Sequence, residues 1–340
     1  MESNENPKTL QSAIQYFSDE LRCIDAVARM RWMDGVIVCP HCEGKGAYWI
    51  KTQKRWKCRE CREQFSVKVG TVFEDSPIPL SKWLPALWLL TNCKNGVSSW
   101  EIHRALGVTQ KTAWFMLHRL RLAMGCPEPP KSGGPGCEFE VDETFVGAKA
   151  KNMHKSRKIR FQNLRNEVAD WKAGALKTRY LNKTPVMGIL DREQRKVRAT
   201  VVPAIKRETL QAQILKAIER GSNIYTDEAV FYNNALSAHY VHEMVNHLQG
   251  YVNGHVHTNG LENFWSLLKR GLHGTYVAVE PFHLFRYLDE AMFRYNNRAT
   301  RENPLNDSDR FLLALSQVAG KRITYKELTG KTEATTPEPF

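Results

Sequence analysis

Residues 138–147 read EFEVDETFVG, with Phe139, Val141, Phe145 and Val146 set among Glu138, Glu140, Asp142, Glu143 and Thr144. Apolar and polar residues alternate here with the period of a half-buried strand, so the segment predicts a strand that carries Asp142. Downstream, Val186 to Leu190 and Val197 to Val202 read as further strands, and Arg207 to Glu219 as a helix. Ile224-Tyr225-Thr226-Asp227 then predicts a strand that ends on an acid. Thr258 or Asn259 caps a helix whose first turn holds Glu262, with Lys269 two turns along on the same face. Strands and helices interleaved in this way predict an α/β domain.

Two carboxylates from neighbouring strands and one from a helix can form a cage for two divalent ions about 4 Å apart, the arrangement that cleaves phosphodiesters. Asp142, Asp227 and Glu262 are therefore the candidate ligands, and hard oxygen donors suit Mg²⁺ or Mn²⁺. Lys269 is placed to hold a DNA phosphate. Glu143 points to the other face of the strand and reads as structural. Glu140 shares the face of Asp142, and Glu228 follows Asp227; each stays an alternative or auxiliary ligand. His257 and Asn259 precede the helix and can orient a water or phosphate, although capping explains Asn259 equally well.

Upstream, residues 126–137, CPEPPKSGGPGC, are too rich in Pro and Gly for regular structure and read as a linker. Before the linker, Ser81 caps a helix carrying Trp83, Leu84, Leu87, Trp88 and Leu90. A short helix follows, with Ser98 and Glu101 spaced as a capping box, then Gly107-Val108-Thr109 and a second amphipathic helix from Gln110. Two short helices joined by a Gly turn predict a helix-turn-helix, in which Gln110, Lys111 and Thr112 face base edges and Arg119 lies near phosphates. A structural helical hairpin has the same pattern.

Nearer the N-terminus, Cys39, Cys42, Cys58 and Cys61 form C-x2-C-x15-C-x2-C. Two thiolate pairs on tight knuckles close a tetrahedron around Zn²⁺, and four thiolates leave no open position, so this metal is structural. The remaining cysteines, Cys23, Cys93, Cys126 and Cys137, are unpatterned thiols.

The whole chain has 340 residues, 49 Lys and Arg against 36 Asp and Glu, and a net charge of +13. That excess points to a polyanionic partner more than to a small neutral substrate, and the helix-turn-helix makes double-stranded DNA the expected one. Eleven of the basic residues fall between Lys149 and Lys183, where only Glu167 and Asp170 oppose them. Arg157, Lys158 and Arg160 within this insert are candidate DNA contacts. No apolar run approaches the ~20 residues of a spanning helix, and MESNENPKTL lacks an export signature, so no membrane association and a cytoplasmic, nucleoid-associated location are expected.

The words CPHC, CREC, VDETFVGAKAKN, IYTDE, HTNGLENFWSLLKRGLHGTY and YLDEAMFRYNNR together resemble the DDE transposases of bacterial insertion sequences, in the ISXO-like group with a zinc ribbon. The resemblance covers about residues 15 to 300. It implies a ribonuclease-H-like domain, a mixed five-stranded sheet with flanking helices, preceded by the zinc ribbon and helix-turn-helix. It maps the catalytic triad onto Asp142, Asp227 and Glu262 and the accompanying basic residue onto Lys269; some relatives use Asn as the third residue, which keeps Asn259 open beside Glu262. It further implies Mg²⁺-dependent cleavage at element ends, transfer of the freed 3′-OH to target DNA, and a homo-oligomer on DNA.

The expected organisation is an N-terminal helical segment (1–35), the ribbon (36–72), the helix-turn-helix (78–125), the linker (126–137), the catalytic domain (138–305, with basic insert 149–183) and a C-terminal extension with a loose tail (306–340). Two other readings remain: a DNA-binding regulator with an inactive catalytic domain, and a nuclease or resolvase of the same fold without strand transfer.

Overall fold

The computed structural model describes residues 7–125, 129–147, 155–156, 159, 183–227, 239–245 and 257–330. The chain divides into two units: Met1–Gly125 with Asn297–Thr335, and Cys126–Asn296 with Thr336–Phe340.

In the first unit, helices α1 (Leu10–Tyr16) and α2 (Glu20–Arg31) begin on Thr9 and Asp19, whose side chains accept from the open backbone N–H groups of the first turn. A three-stranded antiparallel ribbon follows: β1 (Ala47–Ile50), β2 (Arg55–Cys58) and β3 (Gln64–Phe65). Its register pairs Trp49 with Trp56, and the two rings lie 4.5 Å apart on the side that also holds Phe65 and Trp32.

Helix α3 (Leu80–Asn92) is apolar nearly all round and buried accordingly. Ser81 does not cap it. Its N-cap residue is Pro79, and the Glu20 carboxylate accepts from Leu80 N and Ser81 N, both at 3.1 Å, placing a negative charge at the positive end of the helix from sixty residues away. Helices α4 (Ser99–Leu106) and α5 (Gln110–Met124) form the expected hairpin. Ser98 and Glu101 make the capping box, and Gly107 turns the chain at φ +59°, where a side chain is disfavoured.

Of the described residues, 297–330 return to this unit. The sequence had put residues up to 305 with the catalytic domain and the rest in an extension, whereas the chain leaves the second unit at Asn296. The physical reason is apolar burial. Helix Asp307–Ser316 seats Phe311 against Phe17 (5.2 Å) and Trp88 (5.4 Å), and Val318, Ile323 and Leu328 are buried as well. Lys321 donates to the carbonyls of Ala123 and Gly125, closing the open end of α5. Residues 331–340, read as a loose tail, lie outside the described residues.

The second unit is built on five strands: β5 (Glu138–Val146), β6 (Thr184–Asp191), β7 (Lys196–Val201), β9 (Asn223–Asp227) and β10 (Val241–Val245), after the two-residue β4 (Ser132–Gly133) and with β8 (Ile218–Glu219) between β7 and β9. The sheet order is β10-β9-β5-β6-β7, parallel across the first three and antiparallel across the last three. This is the mixed sheet that the ribonuclease-H-like expectation required. Helix α6 (Arg207–Ala217) covers one face through Leu210 and Ile214 over Val141, Met187 and Ile189. Helices α7 (Asn259–Gly271) and α8 (Leu284–Asn296) cover the other through Leu261, Phe264, Leu268 and Leu288 over Val186, Leu190 and Val197. The alternation along β6 sends 186 and 190 to one layer and 187 and 189 to the other.

Candidate active site

Cross-strand pairing fixes which acids face which layer. Asp142 pairs with Gly188 and Glu140 with Leu190, so both lie on the side covered by α7. Glu143 pairs with Met187, whose side chain belongs to the opposite layer.

Asp142 is only partly buried and both its carboxylate oxygens are held: Oδ1 accepts from Glu143 N at 2.8 Å and Oδ2 from Trp265 Nε1 at 2.9 Å. The indole lies against the strand because residue 188 is Gly; a Cβ there would stand 2.5 Å from Trp265 Cζ2. Gly188→Ala should therefore push the indole off Asp142 and destabilise the second unit by roughly 1–3 kcal/mol, the usual cost of overpacking. A urea midpoint equal to wild type would show that the fit is looser than described.

Asp227 ends β9. The parallel register pairs Val141 with Thr226, so one step further the backbone positions of Asp142 and Asp227 lie side by side on neighbouring strands. The Asp227 side chain lies outside the described residues. Next to it, Thr226 Oγ1 meets His242 Nε2 of β10 at 2.9 Å, and burial pushes the His242 imidazole below its ordinary value, favouring the neutral ring.

Glu262 is exposed in the first turn of α7, one turn before Trp265, and Lys269 is partly exposed in the last turn. A separation of seven residues brings Lys269 back to the helical face of Glu262 about 10 Å along the axis. No side-chain cap opens α7 at Thr258 or Asn259; Leu261 N donates instead to Glu140 Oε2 at 3.0 Å. Glu140 is 1% exposed and its other oxygen takes Arg192 Nε at 3.0 Å. Arg192 also reaches Glu138, His257 Nδ1 and the His257 carbonyl, with its guanidinium 4.3 Å over the Tyr225 ring. Sequence reasoning weighed Glu140 as a ligand and missed Trp265, Arg192, Gly188 and His242, which gain their places through contacts that no local pattern announces. Glu228 lies outside the described residues.

The four ribbon sulfurs lie within 4.8 Å of one another. Cys39 and Cys61 are 3.7 Å apart and Cys42 and Cys58 3.6 Å, close to the ~3.8 Å edge of a tetrahedron built on ~2.3 Å Zn–S bonds. Each knuckle closes on a residue of positive φ, Glu43 (61°) after Cys42 and Arg62 (66°) after Cys61. The donor set fits structural zinc.

On the hairpin of α4 and α5, Lys111 is exposed and its ammonium lies 4.6 Å from the Tyr325 ring centroid. Gln110 donates to Ser99 Oγ at 2.9 Å, and Thr112 Oγ1 meets the N-cap Thr109 hydroxyl at 2.8 Å; both side chains are partly exposed. Arg119 corrects the expectation of a phosphate contact. It is 4% exposed, with its guanidinium among the Trp83 and Phe115 rings and donating to Glu74 O, because position 119 falls on the inner side of α5 beside Met116 and Leu120. Arg157, Lys158 and Arg160 lie outside the described residues. Among the described residues no helix is long and apolar enough to cross a membrane.

Residues 134–296 match the family described as the ISXO2-like transposase domain, and residues 18–64 match the transposase zinc-ribbon domain. An uncharacterized protein in the transposable element ISH50 of Halobacterium salinarum is 27% identical over 266 residues, 76% of this chain and 85% of that protein. Among solved structures, a chain of the simian T-cell lymphotropic virus intasome in complex with PP2A regulatory subunit B56 gamma is similar over 64% of this chain and 70% of that one, at 13% identity and a TM-score of 0.30.

Proposed function

We propose that this chain, whose residues 134–296 match the ISXO2-like transposase domain and residues 18–64 the transposase zinc-ribbon domain, binds the ends of an insertion sequence, cuts DNA there and joins the freed 3′-OH to target DNA, using Asp142, Asp227 and Glu262 as metal ligands. The observation that carries this reading is the placement of Asp142: on the central strand, beside the backbone position of Asp227 one step past the Val141–Thr226 pair, and hydrogen-bonded to the helix that bears Glu262. Glu143 N and Trp265 Nε1 orient its carboxylate, as hydrogen bonds that support a metal ligand do. A bound Mg²⁺ or Mn²⁺ supplies Lewis acidity toward the scissile phosphate. Lys269 holds a neighbouring DNA phosphate on the face of α7 that bears Glu262. Gln110, Lys111 and Thr112 read the element end, the insert 149–183 adds sequence-independent phosphate contacts, and two or more copies hold a pair of ends.

Mobility of a marked element tests this reading. With the chain supplied in trans, the marker should appear joined to new target DNA, and Asp142→Asn should abolish the joints. Cut ends that are never joined would favour the nuclease reading, and end binding without cutting the regulator.

A further inference from the structure

Two residues two apart on β5 grip two residues four apart on α7. Glu140 takes Leu261 N and Asp142 takes Trp265 Nε1. The spacings agree: two strand residues span about 6.7 Å, and four helix residues rise about 6 Å. Gly260 allows the approach, since a Cβ there would stand 2.2 Å from Leu190 Cδ2 and 2.9 Å from Glu140 Oε2. Glu140 is in turn fixed from behind: Arg192 donates Nε to Glu140 and Nη1 to Glu138, each at 3.0 Å, and Nη2 to the His257 carbonyl at 2.6 Å. Tyr225 donates its hydroxyl to Glu138 at 3.1 Å and lies under the guanidinium. The brace therefore joins the start of α7 to β5 and β9, the strands that carry Asp142 and Asp227. Glu262 immediately follows the braced Leu261.

We propose that Glu140, locked by Arg192, is a positioning residue: it sets where Glu262 stands relative to Asp142 and so sets the affinity of the carboxylate site for a divalent metal. This rests on the metal-site reading above. Unlike the partly exposed Asp142, Glu140 is 1% exposed and its charge is already paired with Arg192, so it does not serve as a ligand itself. Loss of its charge leaves Arg192 to pair with the Glu138 carboxylate, weakens the hold on Leu261 N and loosens the first turn of α7 while Glu262 remains chemically intact.

The test measures Mn²⁺ binding to the full zinc-loaded chain for wild type, Glu140→Gln, Glu262→Gln and the double variant, with far-UV circular dichroism as the folding control. Glu140→Gln should weaken Mn²⁺ binding about 10-fold, the size typical of residues that support a metal ligand. The double variant should bind no more weakly than Glu262→Gln alone, because the brace acts through Glu262. Unchanged affinity in Glu140→Gln, or losses that simply add, would overturn the proposal; additive loss would mark an independent role for Glu140. If Glu140→Gln does not fold, Arg192→Lys, which keeps the charge but not the fork, should show the same dependence on Glu262, and additivity there overturns the proposal equally. Unchanged Mn²⁺ affinity in Glu262→Gln alone would instead defeat the metal-site reading.

Discussion

Asp142→Asn should lower metal-dependent nicking of supercoiled plasmid by roughly 1,000-fold or more, the scale seen when a group central to the chemistry is removed. The substitution keeps the shape of the side chain and removes the charge that holds a divalent ion. One carbonyl oxygen remains to accept from Trp265, and the hydrogen bond from Glu143 N, worth about 1 kcal/mol, is lost. Folding, zinc content and DNA affinity should therefore stay near wild type while turnover collapses. Nicking within tenfold of wild type would remove Asp142 from the chemistry. Equal loss of DNA affinity would recast it as a binding residue.

Stripping zinc should have the largest structural effect. Structural zinc contributes apparent free energies of about 10–16 kcal/mol in zinc-finger peptides at neutral pH, and a ribbon of three short strands has little other means of holding itself together. Trp32, Trp49 and Trp56 report on it directly, with centroids 5.3 Å apart for Trp32 and Trp56 and 4.5 Å for Trp49 and Trp56. A strong chelator, or Cys58→Ser, should release zinc and red-shift tryptophan emission as this cluster opens to water. Because the ligand thiols must be deprotonated, release should become easier as pH falls. Emission unchanged after complete zinc removal would mean that the ribbon folds on its aromatic core alone.

Much of the fold was legible because its signals are local and periodic. The alternation in 138–146 marks the central strand, four cysteines mark the ribbon, and Ser98, Glu101, Gly107 and Thr109 mark the ends of α4 and α5. What was illegible depends on partners distant in the chain. The strand Val241–Val245 is short and has an exposed Val241, and it is defined by pairing with β9 rather than by its own pattern. The cap of α3 comes from Glu20, and the residues beyond Asn296 look like an extension until Phe311 is seen between Phe17 and Trp88. Arg119 shows the limit of charge as a guide: on a helix presumed to face DNA a basic side chain reads as a phosphate contact, yet its helical phase turns it inward. At the candidate site the three acids could be nominated from type and spacing. Glu140 reads in the sequence only as an alternative ligand, and its hold on the helix, like the parts played by Trp265, Gly188 and Arg192, was not legible, because contacts between residues 52 to 123 positions apart leave no trace in a local window.

Iron-mediated backbone cleavage tests the shared metal site most directly. Fe²⁺ bound in place of Mg²⁺, with ascorbate and peroxide, generates hydroxyl radicals that cut the chain near the ion. The account predicts cuts clustered around 142, 227 and 262, suppressed by excess Mg²⁺ and lost in Asp227→Asn, alongside any Mg²⁺-insensitive cuts at the cysteine ribbon. Cuts confined to the ribbon, or cuts at only one of the three positions, would contradict a site formed by Asp142, Asp227 and Glu262 together.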